Sequence, residues 1–274
     1  MVHILTIAKR EIKLGFRNSW TYSFLILFTL FTIAILLLQS GVQSTEGYTD
    51  ITGTMMNMTL YLLPLLTLLL GSVSVAVEKE NGHWELLSTY ALTRMSFLWG
   101  KWIGLSVILL TVLAFSFGVA GCITFLFGKS LSLGTLVFFW IFSSILTIIY
   151  LGISIAIGAL AKSRWQALIG SIGVWFITIV IWPLLLISIL SLLPYSMLYT
   201  ILEVSTFLNP AELVRIFSMM KIGAGSVFGP EYNQWVTWAN GPFGTPVFIG
   251  VVIIWIIMTI GFSAFIWERR DQRE

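Results

Sequence analysis

Six long apolar segments constrain the fold of this chain more than any other feature of its sequence. None of them contains Asp, Glu, Lys or Arg. A helix of about 20 apolar residues crosses the roughly 30 Å hydrocarbon core of a bilayer. Backbone groups there must bond within their segment, and continuous apolar runs favour helices over alternating barrel strands. The predicted spans are Trp20–Leu38, Met55–Val77, Trp102–Phe127, Leu133–Leu160, Leu168–Leu193 and Pro246–Trp267.

The composition agrees with a membrane protein and excludes an ordinary soluble domain. The chain is 58% hydrophobic and 10% charged, with a mean hydropathy of +0.96. Soluble domains carry about 25% charged residues. We therefore expect an all-α polytopic membrane protein, with one transmembrane domain over residues 1–274. The single cysteine, Cys122, lies within an apolar run and has no intrachain partner for a disulfide.

Lysine and arginine are distributed unevenly between the loops. Of the 15 residues, Lys129, Arg215 and Lys221 fall in the loops of one side, and all the others fall in the amino-terminal segment, the carboxyl-terminal tail and the loops of the other side. The positive-inside rule then places both termini in the cytoplasm of a multi-pass plasma or inner membrane protein. An even number of spans agrees with this orientation.

The segment before the first span, residues 1–19, has an imperfect amphipathic pattern. Its apolar residues alternate at helical spacing with a basic set, Lys9, Lys13 and Arg17. A basic amphipathic helix of this kind lies flat at the cytoplasmic interface as an elbow helix. The alternative is a short basic anchor that only obeys the topology rules.

A polar island over residues 78–101 separates the second and third spans, on the predicted cytoplasmic side. Asn81 and Gly82 permit a turn, and Trp84–Leu98 is predicted as a short helix with an apolar face. Such a face suits a groove on a partner protein. The alternative is an interfacial loop that merely connects two spans. Lys162 and Arg164, in the next loop of that side, form either a second, smaller contact or simple topology-setting charge.

The long outer loop, residues 194–245, contains a second predicted amphipathic helix, Asn209–Lys221. Asn209 suits the N-cap, Pro210 the first helical position, and Glu212 stands three residues after the cap. We expect this helix, with Arg215 on it, to receive an outer partner or to gate the outer end. The residues downstream of it are predicted as irregular loop.

The sequence offers no chemistry of its own to drive a reaction. It has no nucleotide-binding motif, no metal-ligand constellation and no ionisable residue within the six spans. The methionines of the second span and of the outer helix suit apolar packing better than metal binding, because no His or Cys accompanies them. We therefore predict a protein that is not an enzyme, binds no metal or cofactor, and takes its energy from elsewhere.

The polar island carries a resemblance to type-2 ABC exporter permeases. The run Glu78-Lys-Glu-Asn-Gly-His-Trp-Glu-Leu-Leu87, followed by Thr93-Arg94 and Gly100-Lys101, is similar to a recurring segment of that family. The resemblance implies that the island is a coupling helix, which fits a groove on a separate cytoplasmic ABC ATPase that binds the ATP. The residues that it assigns to this coupling are Glu78, Glu80, Gly82, Glu85, Leu86, Leu87, Arg94 and Lys101.

A narrower resemblance points to the NosY permeases of nitrous-oxide reductase maturation. Leu62-Leu-Pro-Leu65, Leu208-Asn-Pro-Ala211 with Arg215, and the basic tail Trp267–Asp271 are similar to segments of that family. The resemblance implies a permease homodimer, an ATPase, a periplasmic accessory protein, and a role in copper or sulfur supply to the reductase. The alternatives are a type-2 permease for another substrate, a non-transporting scaffold or force-transmitting subunit, and an ATP-independent channel or carrier.

Overall fold

The structure, a computed structural model, describes residues 2–39, 50–82, 93–126, 133–192, 195–223 and 233–271. Within these ranges every regular element is a helix, which confirms the expected all-helical class. The elements are α1 (Val2–Gly15), α2 (Ser19–Gln39), α3 (Asp50–Glu80), α4 (Arg94–Leu126), α5 (Leu133–Leu160), α6 (Arg164–Trp175), a π-helical segment (Phe176–Ile181), α7 (Trp182–Leu192), α8 (Tyr195–Leu208), α9 (Pro210–Lys221), α10 (Asn233–Asn240) and α11 (Gly244–Asp271).

Five helices in the described ranges are long and apolar enough to cross a membrane. Four of them are α3, α4, α5 and α11. The fifth is the continuous helix made up of α6, the π-helical segment and α7. Helix α2 has 21 residues and is apolar as well, and its described side chains cover Ser19–Ala34. The membrane-spanning character of five predicted spans is thus supported, whereas the count of six stays a prediction.

The helix of the third span begins well before its apolar stretch. Arg94 is already helical, and Thr93 lies outside the helix. The Thr93 hydroxyl accepts a hydrogen bond from the Ser96 backbone N–H at 3.2 Å, as an N-cap residue does. Trp84–Leu98 is therefore not one short helix as predicted, because its last residues belong to α4. Residues 83–92 lie outside the described ranges.

The two prolines inside the spans behave differently. Pro64 lies within α3, which continues on both sides of it. Pro183 follows directly on a π-helical segment, where the Trp182 backbone N–H bonds to the Ile177 carbonyl five residues back. Proline lacks an N–H and its ring collides with the preceding turn, so a locally wider helix accommodates it. In the fifth span the proline is thus accommodated by a local widening of the helix.

Small residues bring α3 and α5 into close contact. A Cβ built on Gly158 would lie 2.5 Å from the Ser72 carbonyl oxygen, and one on Gly71 would lie 1.9 Å from Ser154 Oγ. No larger side chain fits at either position without separating the helices. Ser154 and Gly158, four residues apart on α5, therefore serve packing within the chain.

The outer loop is more helical than its sequence suggested. It contains α8 and α10 in addition to α9, the helix that was predicted. The Asn209 side chain accepts from the Ala211 N–H, Pro210 stands in the first turn, and Gly223 has φ +85 just after the end, which confirms the predicted bounds of α9. Most residues of α9 are buried, including the predicted apolar face Leu213, Ile216, Phe217 and Met220.

The segments expected on the cytoplasmic side gather at one end of the bundle. Helix α1 packs along the first turns of α4, Arg164 at the start of α6 contacts Glu80 at the end of α3, and Trp267 near the end of α11 contacts Phe97. The beginning and the end of the described chain therefore share one end of the bundle. That this end faces the cytoplasm stays a prediction.

Candidate functional site

Four charged side chains from three helices meet at this end of the bundle. Lys101 Nζ lies 3.2 Å from Glu11 Oε1 and 3.6 Å from Glu78 Oε2. Arg10 Nη2 lies 3.2 Å from Glu78 Oε1. We call Arg10, Glu11, Glu78 and Lys101 the charge cluster. Its two positive and two negative charges cancel, which is a condition for burying charge at low cost.

The Lys101 ammonium is the centre of the charge cluster. Its side chain is only 1% exposed. Besides the two carboxylates, it donates to the Ser74 carbonyl at 2.9 Å and to Ser74 Oγ at 2.6 Å. The Ser74 hydroxyl in turn donates to Glu11 Oε1 at 3.1 Å. The buried cation is thus both paired and hydrogen-bonded, and it ties α1, α3 and α4 together.

Two glycines of α4 let α1 lie directly against it. A Cβ on Gly100 would lie 2.7 Å from Ile7 Cβ, and one on Gly104 would lie 2.6 Å from Glu11 Cβ. The four-residue spacing of the glycines puts both on one face of α4, so they form a shallow groove for α1. Sequence reasoning missed this groove and also missed Arg10 and Glu11. The signals were the Gly-x-x-x-Gly spacing and an acidic residue on the apolar face of α1.

A second ion pair joins two regions that were predicted separately as partner contacts. Arg164 Nε lies 3.2 Å from Glu80 Oε2, and the Arg164 backbone N–H donates to the same oxygen at 3.2 Å. Ser163 caps α6 by accepting from the Gln166 N–H. Lys162 is exposed, and its backbone N–H donates to the Gln166 side chain at 2.8 Å. The loop 161–163 is thereby held against the end of α3.

Trp267 and Lys79 connect the same end of the bundle to α11 and α5. Lys79 Nζ lies 4.9 Å and the Arg94 guanidinium 5.8 Å from the centre of the buried Trp267 ring. Lys79 also donates to the carbonyls of Ala159 and Ala161, at 2.5 and 2.8 Å, and so satisfies the last turn of α5. Sequence reasoning assigned Arg94 to this site but gave no role in it to Lys79 or Trp267.

The predicted coupling residues therefore do not form one site, and Arg94 lies over the Trp267 ring. Glu78 and Lys101 are buried within the charge cluster, and Glu80 pairs with Arg164. Gly82, with φ +69, forms the turn that ends α3. Glu85, Leu86 and Leu87 lie outside the described residues.

The predicted outer residues lie together at the junction of α8 and α9. Asn209 and Glu212 are 2% and 7% exposed, and Pro210 is also buried. The Arg215 guanidinium donates to both carboxylate oxygens of Glu212, one turn earlier on the same helix. Within the described ranges, no three His, Cys, Asp or Glu residues are grouped closely enough to hold a metal ion.

Comparison with known proteins agrees with the multi-span helical architecture. Residues 5–272 match the family model described as ABC-2 family transporter protein. A probable ABC transporter permease protein NosY from Stutzerimonas stutzeri is 27% identical over 98% of this chain and 99% of its own length. The protein of the same name from Pseudomonas aeruginosa is 28% identical over 82% of this chain and 85% of its own. The chain belongs to the ABC-2 family of transporter proteins, as a multi-span permease subunit of the kind that works with an ABC ATPase subunit.

Proposed function

We propose that this permease converts ATP hydrolysis by a separate cytoplasmic ATPase into a rearrangement of six spans, with α2 as the first span and both termini in the cytoplasm. Residues 83–92, between α3 and α4, are the coupling segment in this proposal. They include Glu85, Leu86 and Leu87, which dock into the ATPase. Arg94 flanks them, and Lys162 and Arg164 add a second contact.

The charge cluster is the observation that carries this proposal. It includes Glu78, near the end of α3, and Lys101, in the second turn of α4, so the helices on both sides of the coupling segment are anchored in it. A force on residues 83–92 therefore acts on α1, α3 and α4 together and does not dissipate in a flexible loop. Such rigid-element movement is a common way to transmit a local event.

The proposal is tested by charge reversal in the coupling segment. Glu85→Lys and Arg94→Glu should abolish co-purification with the ATPase, or its stimulation by the permease, while the permease remains folded in detergent. Lys221→Glu, a reversal at the exposed end of α9, is the matched control and should leave both readouts unchanged. Survival of ATPase binding and stimulation in both coupling variants would show that the segment does not couple.

The narrower proposal is that the chain acts as a homodimer in nitrous-oxide reductase maturation, with a periplasmic accessory protein on its outer side. The relatives named NosY and the motifs Leu62–Leu65 and Leu208–Ala211 support it. Deletion of the permease should then leave the reductase inactive, with its cofactor incomplete. An active reductase in the deletion strain would instead favour a permease for another substrate.

Reconstitution separates transport from force transmission. Permease and ATPase are placed in vesicles, and ATP-dependent movement of copper or sulfur compounds is measured. Movement supports a transporter, whereas ATP hydrolysis that responds to the permease without any movement supports a scaffold or force-transmitting subunit.

A further inference from the structure

The π-helical segment and Pro183 together leave one backbone carbonyl of the fifth apolar segment without a partner along its own helix. Trp182 donates its N–H to Ile177 in the π register. In that register the Thr178 carbonyl would bond to residue 183, but Pro183 has no N–H. Its partner in the α-helical register would be Trp182, which is already bonded to Ile177. A carbonyl in the middle of an apolar span, where water is scarce, needs a donor from another element.

Asn209 supplies this donor from the outer loop. Its Nδ2 donates to the Thr178 carbonyl at 2.6 Å, while its Oδ1 accepts from the Ala211 N–H at 3.0 Å and caps α9. The nitrogen and the oxygen of this one amide therefore have two different roles. The oxygen caps the first turn of α9, and the nitrogen supplies the hydrogen bond that the Thr178 carbonyl lacks within its own helix. Asn209 is 2% exposed, so water does not offer Thr178 an easy replacement.

Neighbouring groups hold both partners of this bond in place. The Tyr150 hydroxyl of α5 donates to Thr178 Oγ1 at 3.0 Å. The Trp255 indole of α11 donates to the Phe207 carbonyl at 3.2 Å, just before the junction of α8 and α9. Thr178 and the α8–α9 junction are thus each tied to a spanning helix, and the Asn209 amide bridges them.

We propose that Asn209 is a positioning residue that couples the outer pair α8–α9 to the π-helical segment before Pro183. This inference rests on the proposed function of the chain as an ATP-driven permease. Proline breaks are the places where helices bend. Bending here changes the direction of the Thr178 carbonyl, and the Asn209 amide keeps its bond only when α8–α9 moves with it. Rearrangement of the fifth segment is therefore carried to the outer end of the protein.

A double-mutant cycle tests the bond itself. Asn209→Ser retains a capping oxygen but removes the amide donor, and Pro183→Ala restores an N–H to the broken helix. We expect N209S to lower the unfolding midpoint by about 2–4 °C in the wild-type background. In the P183A background the loss should be about 1 °C or less, because the helix can then satisfy the carbonyl itself. Additive effects would overturn the proposal. Asn57→Ser, at an exposed position of α3, is the matched control.

A distance measurement tests the coupling. Spin labels are placed at Leu184→Cys in α7 and Lys221→Cys at the end of α9, both exposed, in a Cys122→Ser background. Without the ATPase, N209S should broaden the distance distribution between the labels relative to the Asn209 protein. If N209S leaves the distribution of label distances unchanged, the coupling role is overturned, even where the double-mutant cycle has shown that the hydrogen bond forms.

A separate arm tests the proposed function. The ATPase is added to the labelled Asn209 protein, and samples without nucleotide and with trapped nucleotide are compared. Absence of ATPase binding counts against the proposed function, while the ATPase-free comparison still decides the role of Asn209. With the ATPase bound, nucleotide trapping should separate the labels further in N209S than in the Asn209 protein, and equal responses overturn the coupling.

Discussion

Two regions of this permease are held together by different kinds of interaction. At the end formed by α1, α3 and α4, formal charges pair between segments that are distant in sequence, as in Glu11 with Lys101. Away from that end, Asn209 and Trp255 hold the junction of α8 and α9 against the middle of two spanning helices through neutral hydrogen bonds. The ion pair of α9, Glu212 with Arg215, joins residues on the same helix.

This difference indicates which of the two regions, the charge cluster or the α8–α9 junction, moves as a unit. Removing one partner of a buried ion pair costs about 3–5 kcal/mol, whereas a neutral hydrogen bond contributes about 1 kcal/mol. The charge cluster therefore keeps α1, α3 and α4 in one arrangement. The outer pair α8–α9 separates from its neighbours at lower cost, so we expect rearrangements to be larger there.

The largest effect should follow from removal of the central cation. Lys101→Met keeps the length of the side chain but leaves the buried Glu11 carboxylate without its cation and Glu78 with Arg10 as its only cation in the charge cluster. We expect a loss of about 3–5 kcal/mol in the free energy of unfolding, measured in detergent. Lys13→Met, at an exposed position of α1, is the control and should change little. A stable K101M protein would show that the charge cluster does not hold this end together.

A smaller effect is expected when the groove for α1 is filled. Gly104→Leu would push α1 away from α4, since even a Cβ would approach the Ala8 carbonyl oxygen to 3.0 Å. We expect a loss of about 1–3 kcal/mol in the free energy of unfolding. Gly118→Leu, in the same helix, is the control because nothing lies within 4 Å of its Cβ position. Equal stability of the two variants would contradict the close packing of α1 in the groove on α4.

The ion pair of the outer helix should matter less than the charge cluster. Glu212→Gln removes the charge that faces Arg215, but Arg215 is 25% exposed and can reach solvent or lipid headgroups. We expect a loss of about 1 kcal/mol in the free energy of unfolding, well below that of Lys101→Met. A larger loss for Glu212→Gln than for Lys101→Met would reverse the comparison between the two regions.

The helical fold was predictable because it depends on local pattern. The apolar runs indicated the spanning helices, and Asn209 with Pro210 indicated the start of α9, since capping is decided by adjacent residues. Helices α8 and α10 were missed because their residues show no clear apolar period beside the glycine and proline signals of that loop. Their stability comes from contacts such as Phe207 with Trp235, which no local pattern contains.

The candidate site was less predictable because its interactions are long-range. Glu78 and Lys101 were named through a family resemblance, but their buried pairing with α1 depends on how Gly100 and Gly104 position that helix. The Asn209–Thr178 bond spans 31 residues and follows from the missing N–H of Pro183. The proline was visible in the sequence, but the element that compensates for it was not.

The smallest effect on stability is expected at the exposed pair of Glu80 and Arg164. Because both side chains contact solvent, Glu80→Arg alone should hardly change the unfolding midpoint. It should nevertheless weaken ATPase co-purification, since it releases the loop 161–163 from the end of α3. The double exchange Glu80→Arg with Arg164→Glu should restore the pair and, with it, ATPase binding. If the double variant binds as poorly as the single one, Arg164 itself contacts the ATPase. If neither variant changes binding, this pair is only a surface contact, and the charge cluster alone anchors the coupling segment.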